Sequence, residues 1–417
     1  MSQTDQAAAA LDFALDPQAL GDGLFEKLDA LRAAGPIFWS EQNRAWIVTG
    51  HEEVLAGFYG KLPLSANRLP HLAVGHIPEP LRYERFPNLM EAPKAWLLNM
   101  DDPEHQRIRR LVQKAFSRPV VESLRPDVRR YVEEALDRAA GIDGAFDFVA
   151  EVARLIPGRM ILKVLGLGDE LIGRLHHWSI LLNSVGNINV PLERLEEIDG
   201  ALVEMRQLFE PEYEKRRQAP CGDFLSALVT ATEDGDQLSN DEMFGICVIT
   251  LIAGHDTTAN TIALGVAALA REPGAADEIR ARPDMVANAV MELQRKVMMS
   301  TLMSRVVAED FEWAGHQLRA GDFVLLAQGA ANRDPAIFPE PDRIDLDRRQ
   351  TQNLVFAPGL HHCIGHLLAK MVLGEFFPEY LRRFDAELVD KSLLFGPTIS
   401  FRGLDRMQVR LKKRPAG

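Results

Sequence analysis

The sequence predicts a mostly helical fold with a minor β component. Three observations predict it. Apolar residues recur at three- and four-residue spacing over long stretches, strand-like runs are few and short, and one central tract of about 32 residues carries helix signals at both ends. The helical period is plain in L-R-P-D-V-R-R-Y-V-E-E-A-L-D-R-A-A (124–140) and in L-E-R-L-E-E-I-D-G-A-L-V-E-M-R-Q-L-F (192–209). The strand-like pieces are A-W-I-V-T (45–49), F-V-L-L-A (323–327) and M-Q-V-R-L (407–411). Two proline-rich stretches, 76–93 and 335–341, are expected to be irregular. Periodicity resumes on both sides of each, so neither reads as a domain boundary. One domain over residues 1–417 is expected, with residues 1–20 loosely ordered.

The central tract starts at an S-x-x-E capping box, Ser239 and Glu242, and stops before Pro273. Apolar residues cover most of its circumference, so it should run buried through the core. The group G-H-D-T-T at 254–258 interrupts it. Burying those polar groups is costly unless they are used, and Gly254 with the threonines invites a kink. The alternative is a polar stretch facing a solvated crevice.

Composition excludes several classes. The net charge of -13 argues against nucleic acid, which needs a basic surface. Three cysteines, Cys221, Cys247 and Cys363, fit a reducing compartment and cannot supply four thiolates for an iron–sulfur cluster. The N-terminus lacks a signal-peptide pattern, and the polar group at 254–258 argues against a membrane anchor. A cytoplasmic location is expected.

Cys363 stands in F-A-P-G-L-H-H-C-I-G-H (356–366), just before the helical pattern Ile364, Leu367, Leu368, Met371, Phe376. A helix N-terminus favours a thiolate. A zinc site on His361, His362 and Cys363 is poorly supported, because adjacent residues rarely converge on one ion. A cysteine hydrolase, a single axial thiolate to haem iron, and a buried structural cysteine all remain open.

Residues 356–365 resemble the haem-ligand loop of the cytochrome P450 family, F-x-x-G-x-H/R-x-C-x-G, with Phe356, Gly359, His361, Cys363 and Gly365 filling the slots. Three further motifs follow the family's order. A-G-H-D-T (253–257) resembles its oxygen-activating motif, Glu292 and Arg295 match E-x-x-R, and His105 and Arg109 match H-x-x-x-R. The stretch 331–343 looks like the family's meander, with Arg343 in the slot of the arginine that joins the Glu–Arg pair. Alone, E-x-x-R reads as an exposed ion pair, and His105 with Arg109 as a solvated helix face. Together and in order they carry the resemblance, which runs from about residue 20 to the C-terminus.

The resemblance implies one large domain holding haem b between the central helix and the cysteine helix, and a monooxygenase that inserts one atom of dioxygen into an apolar organic substrate by hydroxylation or O-dealkylation chemistry. Cys363 would ligate iron. Gly365 would let the helix backbone come close to the sulfur, Phe356 would be among the haem-binding residues, and His105, Arg109, Arg305 and His361 would meet the propionates. Thr257 would hold oxygen or a water by its hydroxyl, Asp256 would relay protons, and Gly254 would leave room for dioxygen. Leu98, Val248, Ile252, Met298, Met299 and Ile399 would line an apolar pocket, although K-V-M-M-S-T-L-M-S-R (296–305) departs from the aromatic–proline pattern of bacterial relatives. His71, His76, Arg82 and Arg85 read as a solvated loop. The one near miss to a dinucleotide fingerprint, G-L-G-D-E-L-I-G (166–173), has the wrong spacing, so electrons would come from a separate ferredoxin and reductase. Arg107, Arg110, Lys114 and Lys370 would form the basic patch receiving the ferredoxin. A haem carrier without turnover and a hydrolase using Cys363 are the alternatives.

Overall fold

The computed structural model describes residues 10–415 except Asp234, Lys391, Pro397 and Ile399. By its internal contacts the chain divides into two compact units, Met1–Ser65 with Val132–Arg154 and Thr257–Gly417, and Ala66–Tyr131 with Leu155–Asp256. Among the described residues no helix is long and apolar enough to cross a membrane.

The first unit holds the main sheet. Its strand order is Ile37–Ser40, Ala45–Val48, Phe323–Leu326, Met303–Val307, Leu64–Ser65. Ile37–Ser40 and Ala45–Val48 form a hairpin that pairs Trp39 with Trp46, and Ala45–Val48 runs parallel to Phe323–Leu326. These strands are rich in β-branched and aromatic residues, which suit a half-buried pleat. One core cluster, with Phe25, Leu28, Ile47 and Leu302, lies against helix Leu24–Ala34; another, with Val48, Phe58, Val324 and Leu354, includes the end of helix His51–Phe58. The segment expected to be loose is tied to the hairpin from Asp12 onward: Ser40 Oγ donates to Asp12 at 2.6 Å, Asn43 Nδ2 donates to the Phe13 carbonyl at 2.8 Å, and Phe13 is buried. A smaller sheet joins Phe384–Leu388, Gln408–Lys413 and Phe146–Asp147. Helix His366–Arg383 packs on the later half of the central helix, where Gly265 leaves room for the Phe377 ring.

The second unit is helical, built around Glu104–Ala115, Leu155–Val164, Ile172–Asn183, Leu192–Gln218 and the first half of the central helix. The central helix spans Asn240–Arg271, 32 residues. Its capping box is fully formed: Ser239 N donates to Glu242 Oε2 at 2.7 Å, and Glu242 N to Ser239 Oγ at 3.2 Å. Helical structure is continuous through 254–258. Gly254 serves packing rather than a break, because a Cβ there would collide with the Ile161 side chain of helix Leu155–Val164. The proline-rich stretch 76–93 also departs from expectation. It forms short helices, Glu79–Arg85 and Pro87–Glu91, each with proline in its first turn, where the missing N–H costs nothing. Residues 335–341 are turns and bends, as expected.

Two glycines of the second unit test this packing in opposite directions. Gly245→Ala would set a methyl 2.6 Å from the Ala92 carbonyl oxygen, a backbone atom that cannot yield. It should cost about 1–3 kcal/mol. Gly200, inside helix Leu192–Gln218, has open space where a methyl would stand, with nothing within 4 Å. Gly200→Ala should stabilise by about 0.5–1 kcal/mol. Thermal melts of both variants check the pair of signs.

Candidate active site

Helix Val286–Val297 buries an acid and a base on one face. Glu292 and Arg295 are three residues apart and both fully buried, so the exposed-pair reading fails. Arg295 Nε donates to Glu292 Oε2 at 2.8 Å and its second guanidinium nitrogen to Oε1 at 2.9 Å. Arg348 Nε adds a bond to Oε1 at 2.9 Å, the Asp345 N–H one at 3.2 Å, and Gln350 Nε2 one to Oε2 at 3.1 Å. Burial alone would raise the Glu292 pKa, but hydrogen bonds and charge from Arg295, Gln350 and Arg348 hold it below the ordinary carboxylate value. The third member of the network is therefore Arg348, not Arg343. The Arg343 side chain is exposed and pairs with Glu340 at 3.4 Å; only its carbonyl meets Arg295. Four residues separate the two arginines along irregular chain, where no repeat tells which one turns inward.

This network leads directly into the cysteine loop. Asn332 Oδ1 accepts from Leu354 N at 2.8 Å, and Gln328 Nε2 donates to the Leu354 carbonyl at 2.6 Å. The loop closes where Cys363 N donates to Phe356 O at 2.8 Å. Ala357 and Gly359 take positive φ, 47° and 81°. A Cβ on Gly359 would collide with the Phe58 carbonyl, so only glycine fits that turn. Cys363 is half-buried and precedes helix His366–Arg383, whose N-cap is Gly365. His366 Nδ1–H donates to the Cys363 carbonyl at 2.9 Å, and the His362 ring stands edge-on to His366 with centroids 4.6 Å apart. Phe356 also meets His366 edge-on, and the Lys370 ammonium lies 5.2 Å from the Phe356 centroid. His361 is half-buried. Cys247 is different in kind: it is fully buried, and burial pushes its thiol up to about 12.

Arg305 lies on strand Met303–Val307 opposite Val324 and is buried, its guanidinium 5.8 Å from the Phe58 ring centroid. Phe58 thus touches both Arg305 and the turn at Gly359. The segment 298–302 is core on one side. Met298 belongs to the cluster of Phe25 and Leu28, with its sulfur 3.2 Å from Asn332 Nδ2, which makes it a packing residue rather than a pocket wall. Thr301 N bonds the Ser400 carbonyl at 3.1 Å and Arg402 N the Met299 carbonyl at 2.7 Å, joining this segment to the C-terminal turn. Met299 is buried, and Ile399 lies outside the described residues.

In the second unit, His105 and Arg109 share one face of helix Glu104–Ala115. His105 is buried, its Nδ1 3.4 Å from Asp102 Oδ1. Burial, then the Arg109 charge, lower its pKa against the upward pull of Asp102. Arg107 is held by Glu104, Asp236 and Glu242, so it is withdrawn from the expected basic patch. Arg110 and Lys114 are exposed, and Lys114 donates to the Thr232 carbonyl. Val248 and Ile252 are buried on the central helix, while Leu98 is half-buried. Asp256 is half-buried: Oδ2 accepts from Ser179 Oγ at 2.7 Å and from Asn183 Nδ2, and Oδ1 lies 3.0 Å from His255 Nδ1. Sequence reasoning alone does not find Ser179 and Asn183; their four-residue spacing, one helical turn, is the available signal. Thr257 follows in the same helix, and its carbonyl accepts from Thr261 Oγ1 at 2.8 Å.

The donor set of the first unit fits haem. A thiol is offered by a rigid closed loop at a helix N-terminus, a Cβ at Gly365 would meet nothing within 4 Å beside it, and a buried arginine stands in the same unit. Among the described residues no cluster of three or more His, Cys, Asp or Glu could hold a bare metal ion.

A cytochrome P450 family profile matches residues 193–394. Mycinamicin IV hydroxylase/epoxidase of Micromonospora griseorubida is 36% identical over 337 residues, covering 79% of this chain and 80% of that protein. The 6-deoxyerythronolide B hydroxylase of Saccharopolyspora erythraea is 32% identical over 378 residues, covering 88% and 90%. The crystal structure of epothilone D-bound cytochrome P450epoK matches with a TM-score of 0.85 at 27% identity, covering 96% of this chain and 99% of that one.

Replacing Arg348 by Leu leaves a buried carboxylate short of a cationic partner and should cost about 3–5 kcal/mol. Arg343→Ala should stay within about 0.5 kcal/mol. Chemical denaturation of both variants separates the two assignments.

Proposed function

Because the chain belongs to the cytochrome P450 family, whose members are haem-dependent monooxygenases, we propose that it inserts one oxygen atom into an apolar organic substrate, by hydroxylation or O-dealkylation chemistry, with electrons from an external ferredoxin and its reductase. Haem ligated by a thiolate supplies dioxygen binding and the electron push that favours O–O cleavage. The residues of this chain do the rest. Cys363 supplies the thiolate, and the closed loop fixes where the sulfur stands; that loop geometry is the observation that carries the reading. Arg305, His361, His105 and Arg109 would hold the propionates by hydrogen bonds. Thr257 Oγ1 would hold a proton, and Asp256 would carry protons to it. Glu292, Arg295 and Arg348 keep the loop's approach in place.

The names of the relatives, hydroxylase and epoxidase, support oxygen insertion. Leu98, Val248, Ile252 and Met299 are the proposed apolar wall. External electron donors are supported by the family, whose members work with redox partners. The ferredoxin would meet Arg110, Lys114 and Lys370, and the enzyme would work in the cytoplasm.

The reduced protein exposed to carbon monoxide should show the strongly red-shifted Soret band of thiolate-ligated haem. Cys363→His should move that band to the histidine-ligated position. A histidine-type band in the unaltered protein would overturn the reading, and no Soret band in folded protein offered haem would return Cys363 to hydrolase or structural roles. Thr257→Ala should slow substrate oxidation about a hundredfold while leaving the carbon monoxide spectrum unchanged; product analysis against oxygen consumed checks it.

A further inference from the structure

Asp256 is built into the second unit through both of its oxygens. Ser179 Oγ donates to Oδ2 at 2.7 Å, Asn183 Nδ2 donates to the same oxygen, and His255 Nδ1 lies 3.0 Å from Oδ1. Ser179 and Asn183 are four residues apart on helix Ile172–Asn183 and so share one face. Ser179 is fully buried, where its hydroxyl has no solvent alternative to this bond. The roll of that helix is fixed independently. Trp178 is buried and its Nε1 donates to Glu204 Oε2 at 2.7 Å, and Arg174 also pairs with Glu204, on helix Leu192–Gln218. The face bearing Ser179 is therefore clamped against Asp256.

We propose that Ser179 and Asn183 are positioning residues for proton delivery. They hold the Asp256 carboxylate by Oδ2 in one rotamer, with Oδ1 beside His255, so that the acid is presented in one orientation for proton transfer. Two donors on one oxygen fix how the carboxylate is turned. A hydroxyl and an amide do this without adding charge. A freed carboxylate would sample other rotamers and carry protons less often to the neighbouring Thr257. The proposal rests on the reading of Asp256 as the proton-carrying acid.

The test uses the haem-loaded full chain with a surrogate ferredoxin, its reductase and NADPH, and dioxygen as the probe. Oxygen consumption is measured in light and heavy water, with peroxide released per oxygen consumed. Ser179→Ala with Asn183→Ala should slow consumption about tenfold and raise the solvent isotope effect, with Ser179→Ala alone intermediate. Ser179→Thr, which keeps the hydroxyl, should stay within about twofold of the unaltered protein. A second readout needs no turnover. Ser179→Ala should lower the melting temperature clearly in the Asp256 protein and much less in an Asp256→Ala background. Normal consumption and isotope effect in the Ser179/Asn183 variants, with additive melting shifts, would overturn the proposal if Asp256→Asn is slow. If Asp256→Asn is itself unimpaired, the acid assignment fails first, and the positioning role with it.

Discussion

The buried Glu292 carboxylate is the interaction on which the site of the first unit depends. A buried ion pair is seldom stabilising relative to a well-packed apolar substitute. Here the two guanidiniums have a second task. Arg295 also donates to the carbonyls of Asn332 at 2.8 Å and Pro341 at 2.7 Å, and Arg348 to those of Pro339 at 2.8 Å and Glu340 at 3.2 Å. The chain from 332 to 350 lies in neither helix nor sheet, so its carbonyls lack the partners that regular structure would provide. Glu292 holds the two arginines in place, and the arginines satisfy the irregular chain. An apolar replacement would fill the volume and leave those carbonyls without donors.

That arrangement makes the cysteine loop a continuation of a fixed segment rather than a free excursion. Asn332 and Gln328 pass the constraint to Leu354, and the bond from Cys363 N to Phe356 O closes the turn that begins two residues later. Phe58 adds a stop from the other side, with its carbonyl against Gly359 and its ring near Arg305. A thiol that must stand at one position needs such support, because a displacement of about an ångström is enough to weaken a preorganised site.

The second unit solves a different problem. Its half of the central helix must carry a half-buried carboxylate beside an apolar core. Side chains of a neighbouring helix answer with a hydroxyl and an amide. Gly254, just before this polar group, contributes by its lack of a side chain, which lets Ile161 approach.

Much of this was legible in the sequence. The central helix, its capping box and its end at Arg271 follow from local rules, because caps and apolar period act within a few residues. The cysteine motif and E-x-x-R were legible because their members are close in the chain and bound to fixed spacing. What only the tertiary structure decided lies where spacing carries no direction. Arg348 rather than Arg343 reaches Glu292, since an irregular segment has no period to say which side chain turns inward. Met298 joins the core, and Arg107 is consumed by acids far along the chain. Ser179 and Asn183 bind an aspartate more than seventy residues away, a pairing that appears only once two helices pack side by side.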